Sequence, residues 1–289
     1  MAGSQPAGGS YPPPTSTTLF AHELAIASLA ARAAGQIALS MQGGISASAK
    51  ADGSPVTPGD LAADVIIRHH LELHFPHDAI LSEEAADSAV RLSNRRVWII
   101  DPIDGTKDYV AGGDGWAVQI ALAVDGAVVL GVLDLPACNV HLAGVVGRGA
   151  TIVDAVGSRN LYAPTTSLTT MIGSNSQRNA DSLLQIRAAL PEFAFTSCTS
   201  VGVKVHRMLS GAADLYVHAR EIHEWDVAAP AALLLAAGGF ATALDGKALA
   251  YNTPDGHCAG LVFSTRADHQ ALVDRLRVSG LHATGPSRT

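Results

Sequence analysis

The sequence predicts an α+β fold, and three observations carry that expectation. Apolar residues recur at helical period over residues 19–41, where Leu19, Ile26, Ala30, Ala33, Ile37 and Met41 fall on one stripe. Val97-Trp98-Ile99-Ile100 is a short apolar run of the kind that forms a strand buried on both faces. Residues 118–133 read as a hairpin that turns at Asp125-Gly126. With 289 residues, 48% hydrophobic and 16% charged, the chain can bury a sizeable core in one large domain or two coupled ones.

Each element follows in order. Residues 1–18 are rich in Gly, Pro, Ser and Thr, without the basic start and apolar stretch of a signal peptide, and are expected to form a disordered tail. Gly43-Gly44 ends the first helix. Residues 50–60 are turn-rich, and Asp60 is expected to open a second helix, as its N-cap, through Phe75. Residues 79–82 form a short strand, 83–96 a polar stretch, and weak strands follow the hairpin to about Val153. Residues 157–169 read as a loop, which places a boundary there: tail 1–18, an N-terminal α+β unit 19–156, and a C-terminal unit 157–289. In the latter, residues 170–173 and 215–217 are strands. Residues 181–190 are a helix, another runs from near Gly202 to before Gly211, and an Ala/Leu-rich helix at 228–237 is stopped by Gly238-Gly239.

Composition excludes several classes. Net charge is −7 and no five like charges run together, so neither a nucleic-acid polymer nor a membrane surface is an expected partner. No run approaches the ~18 consecutive apolar residues of a bilayer span. Cys138, Cys198 and Cys258 are scattered and odd in number, which argues against a disulfide framework and fits a reducing cytoplasm. His70 and His74 have a spacing that can hold zinc, but no cysteine is near and a solvated helix face is the better reading.

The chemistry concentrates in WIIDPIDGTKDY, residues 98–109. Asp101 leaves the carboxyl end of a buried strand, where α/β proteins tend to place ligands. Asp104 returns three residues later, and Gly105-Thr106 adds backbone N–H groups and a hydroxyl of the kind that bind phosphate oxygens. Ser82-Glu83-Glu84 follows a second strand. Glu224-Trp225-Asp226 opens the last helix, with Asp226 as its expected N-cap and Pro230 in its first turn. If Glu83, Asp101, Asp104 and Asp226 converge, they need cations, and oxygen-only ligands select hard divalent ions, Mg²⁺ first. The bland alternative is that Asp-Pro and Asp-Gly are ordinary turn pairs and the helix-opening Asp an ordinary cap.

DPIDGT, with SEE upstream and WDVAAP downstream, resembles the inositol monophosphatase superfamily from about Lys50 to Tyr251. That resemblance implies a layered αβαβα fold and a Mg²⁺-dependent, lithium-sensitive phosphomonoesterase. It implies two to three Mg²⁺ ions, with Mn²⁺ able to substitute and Li⁺ or Ca²⁺ inhibitory. Glu83, Asp101 and the Ile103 carbonyl match a first metal site, and Asp101, Asp104 and Asp226 a second. Asp60 and Thr106 match the pair that activates the attacking water, with Glu83 also counted as catalytic. Gly105 and Thr106 match the phosphate cradle.

Within the superfamily, three stretches resemble the 3′(2′),5′-bisphosphate nucleotidases. They are KADGSPVT at 50–57, the acid Asp108 followed by Tyr109, and SCTSVGVK at 197–204, where Thr199 stands in place of a glycine. The resemblance implies substrate contacts from Ser200, Lys204 and His218, with Ser174, Ser176, Arg178, Arg220 and His223 as further candidates. The expected reaction removes the 3′-phosphate of adenosine 3′,5′-bisphosphate, with 3′-phosphoadenylyl sulfate a second substrate, in sulfur assimilation. The rivals are an inositol phosphate, fructose bisphosphate or histidinol phosphate phosphatase on the same site, and an inactive metal-binding regulatory protein. A homodimer is common in parts of the family, and nothing in the sequence decides it.

Overall fold

The computed structural model describes residues 19–44, 47–50, 54–163, 168–174 and 179–282. The expected tail, Ser176 and Arg178 lie outside them.

Two helices start the chain. α1 (Ala21–Met41) buries Ala27, Ala30, Ala31, Ala34, Gly35 and Ala38. The expected stripe is therefore displaced: Ala30 is buried, but Leu19 is more than half exposed and Ile37 faces solvent. Small residues are buried because α1 lies close to its neighbours. A Cβ on Gly35 would meet Asp134 Oδ2 at 2.4 Å and Pro136 Cγ at 2.6 Å. By length and composition α1 could cross a membrane, yet its alanine face packs on the next helix and on the sheet. After a two-stranded hairpin, β1 (Ser48–Ala49) and β2 (Pro55–Val56), comes α2 (Pro58–His74). Its N-cap is Thr57, not Asp60. Asp60 is the N3 residue of a capping box, and Pro58 opens the helix where its missing N–H costs nothing.

A seven-stranded sheet follows, in the order β3 (Ala79–Ser82), β4 (Arg96–Asp104), β5 (Ala117–Val124), β6 (Ala127–Leu135), β7 (Val140–Val145), β8 (Gly149–Asp154) and β9 (Gly157–Leu161). β4 is buried on both faces: Val97 and Ile99 join one core cluster, Trp98 and Ile100 another. The β5–β6 turn holds Asp125 at φ 51° and Gly126 at φ 79°, as a two-residue hairpin loop of the Asp-Gly type requires. The loop expected at 157–169 is corrected in its first part. Residues 157–161 are β9, hydrogen-bonded to β8, so the sheet continues past the sequence boundary at 156/157.

The second sheet has five strands in the order β11 (Ala194–Ser197), β10 (Thr170–Gly173), β12 (Leu215–His223), β14 (His257–Ser264) and β13 (Phe240–Thr242). Between the sheets run α5 (Val201–Leu209) and α6 (Glu224–Ala236), whose apolar residues form one cluster with the inner faces of both. α1 and α2 cover the far face of the first sheet. α4 (Ala180–Ala189) and α7 (His269–Val278) cover the far face of the second. The layers therefore run helix, sheet, helix, sheet, helix, the αβαβα order expected.

Candidate active site

The site is built where β4 ends. In a regular strand, residues three apart point to opposite faces. Between Asp101 and Asp104 the β4–β5 register shifts: Asp101 pairs with Gln119 and Asp104 with Ala117, so three steps on β4 match two on β5. This bulge, which contains Pro102, re-aims Asp104 to the side of Asp101. Gly105 then takes φ 100°, and a Cβ there would meet the Gly115 carbonyl at 2.7 Å. It leads into the short helix α3 (Thr106–Val110), whose N-terminus no side chain caps. Glu83 leaves β3 beside β4 and donates its N–H to the Ile100 carbonyl.

The fourth carboxylate arrives from α6. That helix begins at Glu224 with His223 as N-cap, so Asp226 lies within its first turn rather than capping it. Pro230 is consequently inside the helix, not in its first turn. Its missing N–H frees the Asp226 carbonyl, which accepts from Gln119 Nε2 at 3.5 Å. Glu224 is fully buried and accepts from the N–H groups of Asn252 and Thr253, each at 2.7 Å, and from the Thr253 hydroxyl at 2.6 Å. It fixes the entry of α6 and hence Asp226.

Ligand oxygens of Asp101, Asp104 and Asp226 all lie within 4.8 Å of one another. Asp101 and Asp60 each use one oxygen for the protein and keep one. Asp101 Oδ1 accepts from the Ile103 N–H at 3.0 Å, while its buried Oδ2 has no partner. Asp104 Oδ2 takes both Ser200 Oγ at 2.6 Å and Gly202 N–H at 2.9 Å. Asp60 Oδ2 takes Thr57 N–H at 2.8 Å and Thr57 Oγ1 at 2.5 Å, and its Oδ1 is buried and unpartnered. Unpartnered buried carboxylate oxygens are costly. Burial, then the neighbouring carboxylates, pushes Asp101 and Asp226 well above the ordinary carboxylate range. Burial also raises Asp104, Asp60 and Glu83, against the donors and cations that lower them. An oxygen-only set of clustered, half-satisfied carboxylates fits a hard divalent cation.

The remaining expected residues are placed as follows. Ile103 is buried, and its carbonyl accepts the Thr106 hydroxyl at 3.1 Å. Ser200 is 0% exposed; its hydroxyl caps α5 through Val203 N–H and holds Asp104. The structure thus places that hydroxyl against the carboxylate cluster, on Asp104. Lys204, also 0% exposed, donates to the Thr199 and Ser200 carbonyls and lies 5.1 Å from the Tyr216 ring centroid. Burial lowers its pKa. The ammonium is a strut beneath the loop. His218 is half-buried and lines a small cavity with Ser174 and Asn179. Burial first, and the Lys204 charge second, pull it to about 4. His223 stacks on Trp225 at 4.2 Å and approaches His257 at 4.1 Å.

Sequence reasoning missed four contributors. Thr57 was readable from Thr-Pro-x-Asp, a capping-box spacing. Glu224, Gln119 and the hydrogen bond from Thr199 Oγ1 to Asp108 Oδ2 join residues far apart in the chain, and no local pattern marks them.

Comparison with known proteins places this geometry. The family model described as inositol monophosphatase family matches residues 21–279. A relative from Mycobacterium bovis named 3′-phosphoadenosine 5′-phosphate phosphatase is 37% identical over 215 residues, 71% of this chain and 75% of that protein. The 3′(2′),5′-bisphosphate nucleotidase CysQ of Escherichia coli K12 is 31% identical over 209 residues, 70% of this chain and 81% of that one. Among solved structures, the inositol monophosphatase from Anabaena superposes with a TM-score of 0.75 at 25% identity, covering 90% of this chain and 97% of that one. CysQ from Bacteroides thetaiotaomicron gives 0.72 at 25% identity, covering 85% and 97%. With its layers, its carboxylate cluster and this match over nearly its full length, the chain belongs to the inositol monophosphatase family and is a phosphatase of it.

Proposed function

We propose that the protein is a cytoplasmic, Mg²⁺-dependent phosphomonoesterase that removes the 3′-phosphate of adenosine 3′,5′-bisphosphate, with 3′-phosphoadenylyl sulfate as a second substrate. The observation that carries the phosphatase chemistry is the converging trio Asp101, Asp104 and Asp226, with unpartnered oxygens on Asp101 and Asp60. The nucleotide preference rests on relatives at 31–37% identity that are named as nucleotide phosphatases and on Asp108 in the segment after Thr106.

Glu83, Asp101, Asp104, Asp226 and the Ile103 carbonyl would hold the ions. Bound there, divalent cations offset phosphate charge and lower the pKa of a water. The chain's own residues do the rest. Asp60 keeps Oδ1 free to accept a proton from the attacking water, and the capping box fixes that carboxylate in place. Thr106 orients the same water through its hydroxyl. The Gly105 and Thr106 amides receive phosphate oxygens at a turn that only glycine enters without strain. His218, neutral at pH 7, meets the substrate without adding charge.

Phosphate release with Mg²⁺ tests this across adenosine 3′,5′-bisphosphate, inositol 1-phosphate, fructose 1,6-bisphosphate and histidinol phosphate. A kcat/KM about 100-fold higher for the nucleotide, ~2.7 kcal/mol of discrimination, is the expected result. A flat profile would retain the metal chemistry and remove the nucleotide assignment.

A further inference from the structure

Two loops meet beside Asp104, and one hydrogen bond between side chains joins them. Thr199, in the connection from β11 to α5, donates its hydroxyl to Asp108 Oδ2 on the short helix α3. Both partners are anchored. On the Thr199 side, the Cys198 N–H donates to the Gly173 carbonyl at 3.1 Å. Lys204 Nζ donates to the Thr199 carbonyl at 2.5 Å and to the Ser200 carbonyl at 3.3 Å. On the other side, the Asp108 carbonyl accepts the Gly113 N–H at 2.9 Å. The Asp108 carboxylate lies against Gly115, where a Cβ would meet Oδ2 at 2.6 Å. One residue beyond Thr199, Ser200 Oγ donates to Asp104 Oδ2 at 2.6 Å, and the Gly202 N–H reaches the same oxygen at 2.9 Å. These contacts close a circuit. It runs along the chain from Asp104 to Asp108, across to Thr199, along to Ser200, and back across to Asp104. Gly105 and Thr106 are part of it, and a Cβ on Gly105 would meet Ser200 Cβ at 3.3 Å, so its two sides are packed together.

We propose that Asp108 is a positioning residue: through Thr199 it fixes the Gly105–Thr106 segment and the aim of Asp104, and so sets the rate of hydrolysis rather than the affinity for the ester. The inference rests on the phosphatase reading of the site and not on the choice of ester. α3 spans five residues and no side chain caps its start, so its own hydrogen bonds hold it weakly. The circuit supplies the missing constraint. Its two cross-links are fixed by separate backbone anchors, and the segment between them shifts only by breaking one. Groups that receive charge in the transition state contribute most when they are fixed beforehand, and a small misplacement is enough to slow turnover. Glycine at 199, as in the loop that residues 197–204 resemble, has no hydroxyl to close the circuit. The clasp is therefore a property of Thr199 in this chain. Thr199 is exposed, so opening the clasp disturbs the site more than the core.

The test compares wild type with Thr199→Ala, Thr199→Ser, Asp108→Ala and the double variant Thr199→Ala/Asp108→Ala. Phosphate release is measured at saturating Mg²⁺ from adenosine 3′,5′-bisphosphate and from inositol 1-phosphate, and each protein is melted. Thr199→Ala is expected to lower kcat about fivefold to tenfold on every ester that wild type hydrolyses, with KM within about twofold, as for one lost hydrogen bond felt only in the transition state. Thr199→Ser keeps the hydroxyl and should recover most of kcat. The double variant should be no slower than the slower single one, because the same bond is lost once. Tm should move by less than about 4 °C. Wild-type kcat in Thr199→Ala overturns the proposal. A KM rise for the bisphosphate alone overturns it too, since the pair would then touch substrate. So do losses that multiply in the double variant, which would make the two residues independent. Failure of Thr199→Ser to rescue, with a large fall in Tm, would leave a merely structural role and also overturns it. If wild type itself releases phosphate from neither ester, the reading of the site falls and this proposal with it.

Discussion

Replacing Ser200 by alanine separates two roles for one hydroxyl. In the structure Ser200 Oγ donates to Asp104 Oδ2 at 2.6 Å and accepts the Val203 N–H at 3.1 Å as the N-cap of α5. Removing a serine N-cap costs about 1 kcal/mol. Removing a buried hydrogen bond to a charged group costs about 1.5–3 kcal/mol. The two losses share one atom, so their sum, roughly 2.5–4 kcal/mol, is an upper value. For a chain of this size each kcal/mol moves Tm by roughly 2–4 °C, so Ser200→Ala should melt about 5–15 °C lower. Asp104 loses one of its two donors and its aim, so Mg²⁺ should bind more weakly in calorimetry and kcat should fall at saturating substrate. A hydroxyl that touched substrate instead would leave Tm and Mg²⁺ affinity in place and raise KM alone. That outcome would refute the assignment of Ser200 to Asp104.

Other perturbations follow from the same contacts. Asp101→Asn should reduce kcat/KM by at least about 100-fold, since even partners that merely support ligands cost 10–100-fold; yet its metal-free Tm should rise, because a buried, repelled carboxylate is gone. Residual turnover near wild type would remove Asp101 from the metal site. Gly35→Ala should lower Tm although alanine favours helices by about 1 kcal/mol. The new methyl meets Asp134 Oδ2 and Pro136, and overpacking of about 1–3 kcal/mol outweighs that gain; an unchanged or higher Tm would refute the close approach. The pH dependence of the metal-free protein has a fixed sign. Asp101, Asp226, Asp104 and Glu83 are raised, and Glu84 reaches about 7, chiefly by burial. The folded state then holds protons that the unfolded chain has released, so stability should fall as pH rises from about 4.5 through 7. Saturating Mg²⁺ should flatten that fall, and chemical unfolding at three pH values, with and without Mg²⁺, reads both slopes.

How legible this was in the sequence depended on the range of each interaction. The strands around Val97-Trp98-Ile99-Ile100 and the Asp125-Gly126 turn were readable because burial on two faces and a two-residue loop leave local marks. The buried face of α1 was not. Its stripe was expected from large side chains, but the helix packs by closeness, and alanines at 27, 30, 31, 34 and 38 are what closeness selects. The strand at residues 157–161 was hidden because it is mostly exposed and has no apolar run to announce it. The carboxylates were legible as a set, through their motifs. Their aim was not, since the bulge that turns Asp104 toward Asp101 is a property of the β4–β5 register. The surroundings of Lys204 were hidden for the same reason: its position in a loop motif says nothing of the Tyr216 ring and the two carbonyls that enclose it.

The way the carboxylates are held argues for what they await. A carboxylate meant only to cap a helix or close a turn would spend both oxygens on the protein, as Glu224 does on Asn252 and Thr253. Asp101 and Asp60 instead spend one oxygen on local N–H or hydroxyl donors and bury the other without a partner. The donors fix each group's orientation before any ion arrives. The spare oxygens remain costly until one does. Part of a metal's binding energy would then go into relieving strain the fold already contains, and it would be felt as stability. This links the three observables above. A variant that removes a spare oxygen, such as Asp101→Asn, should stabilise the metal-free protein and abolish its gain from Mg²⁺. A variant that removes a donor, such as Ser200→Ala, should destabilise the protein in both states. If both variants moved metal-free stability in the same direction, the division of labour between the two oxygens would be wrong.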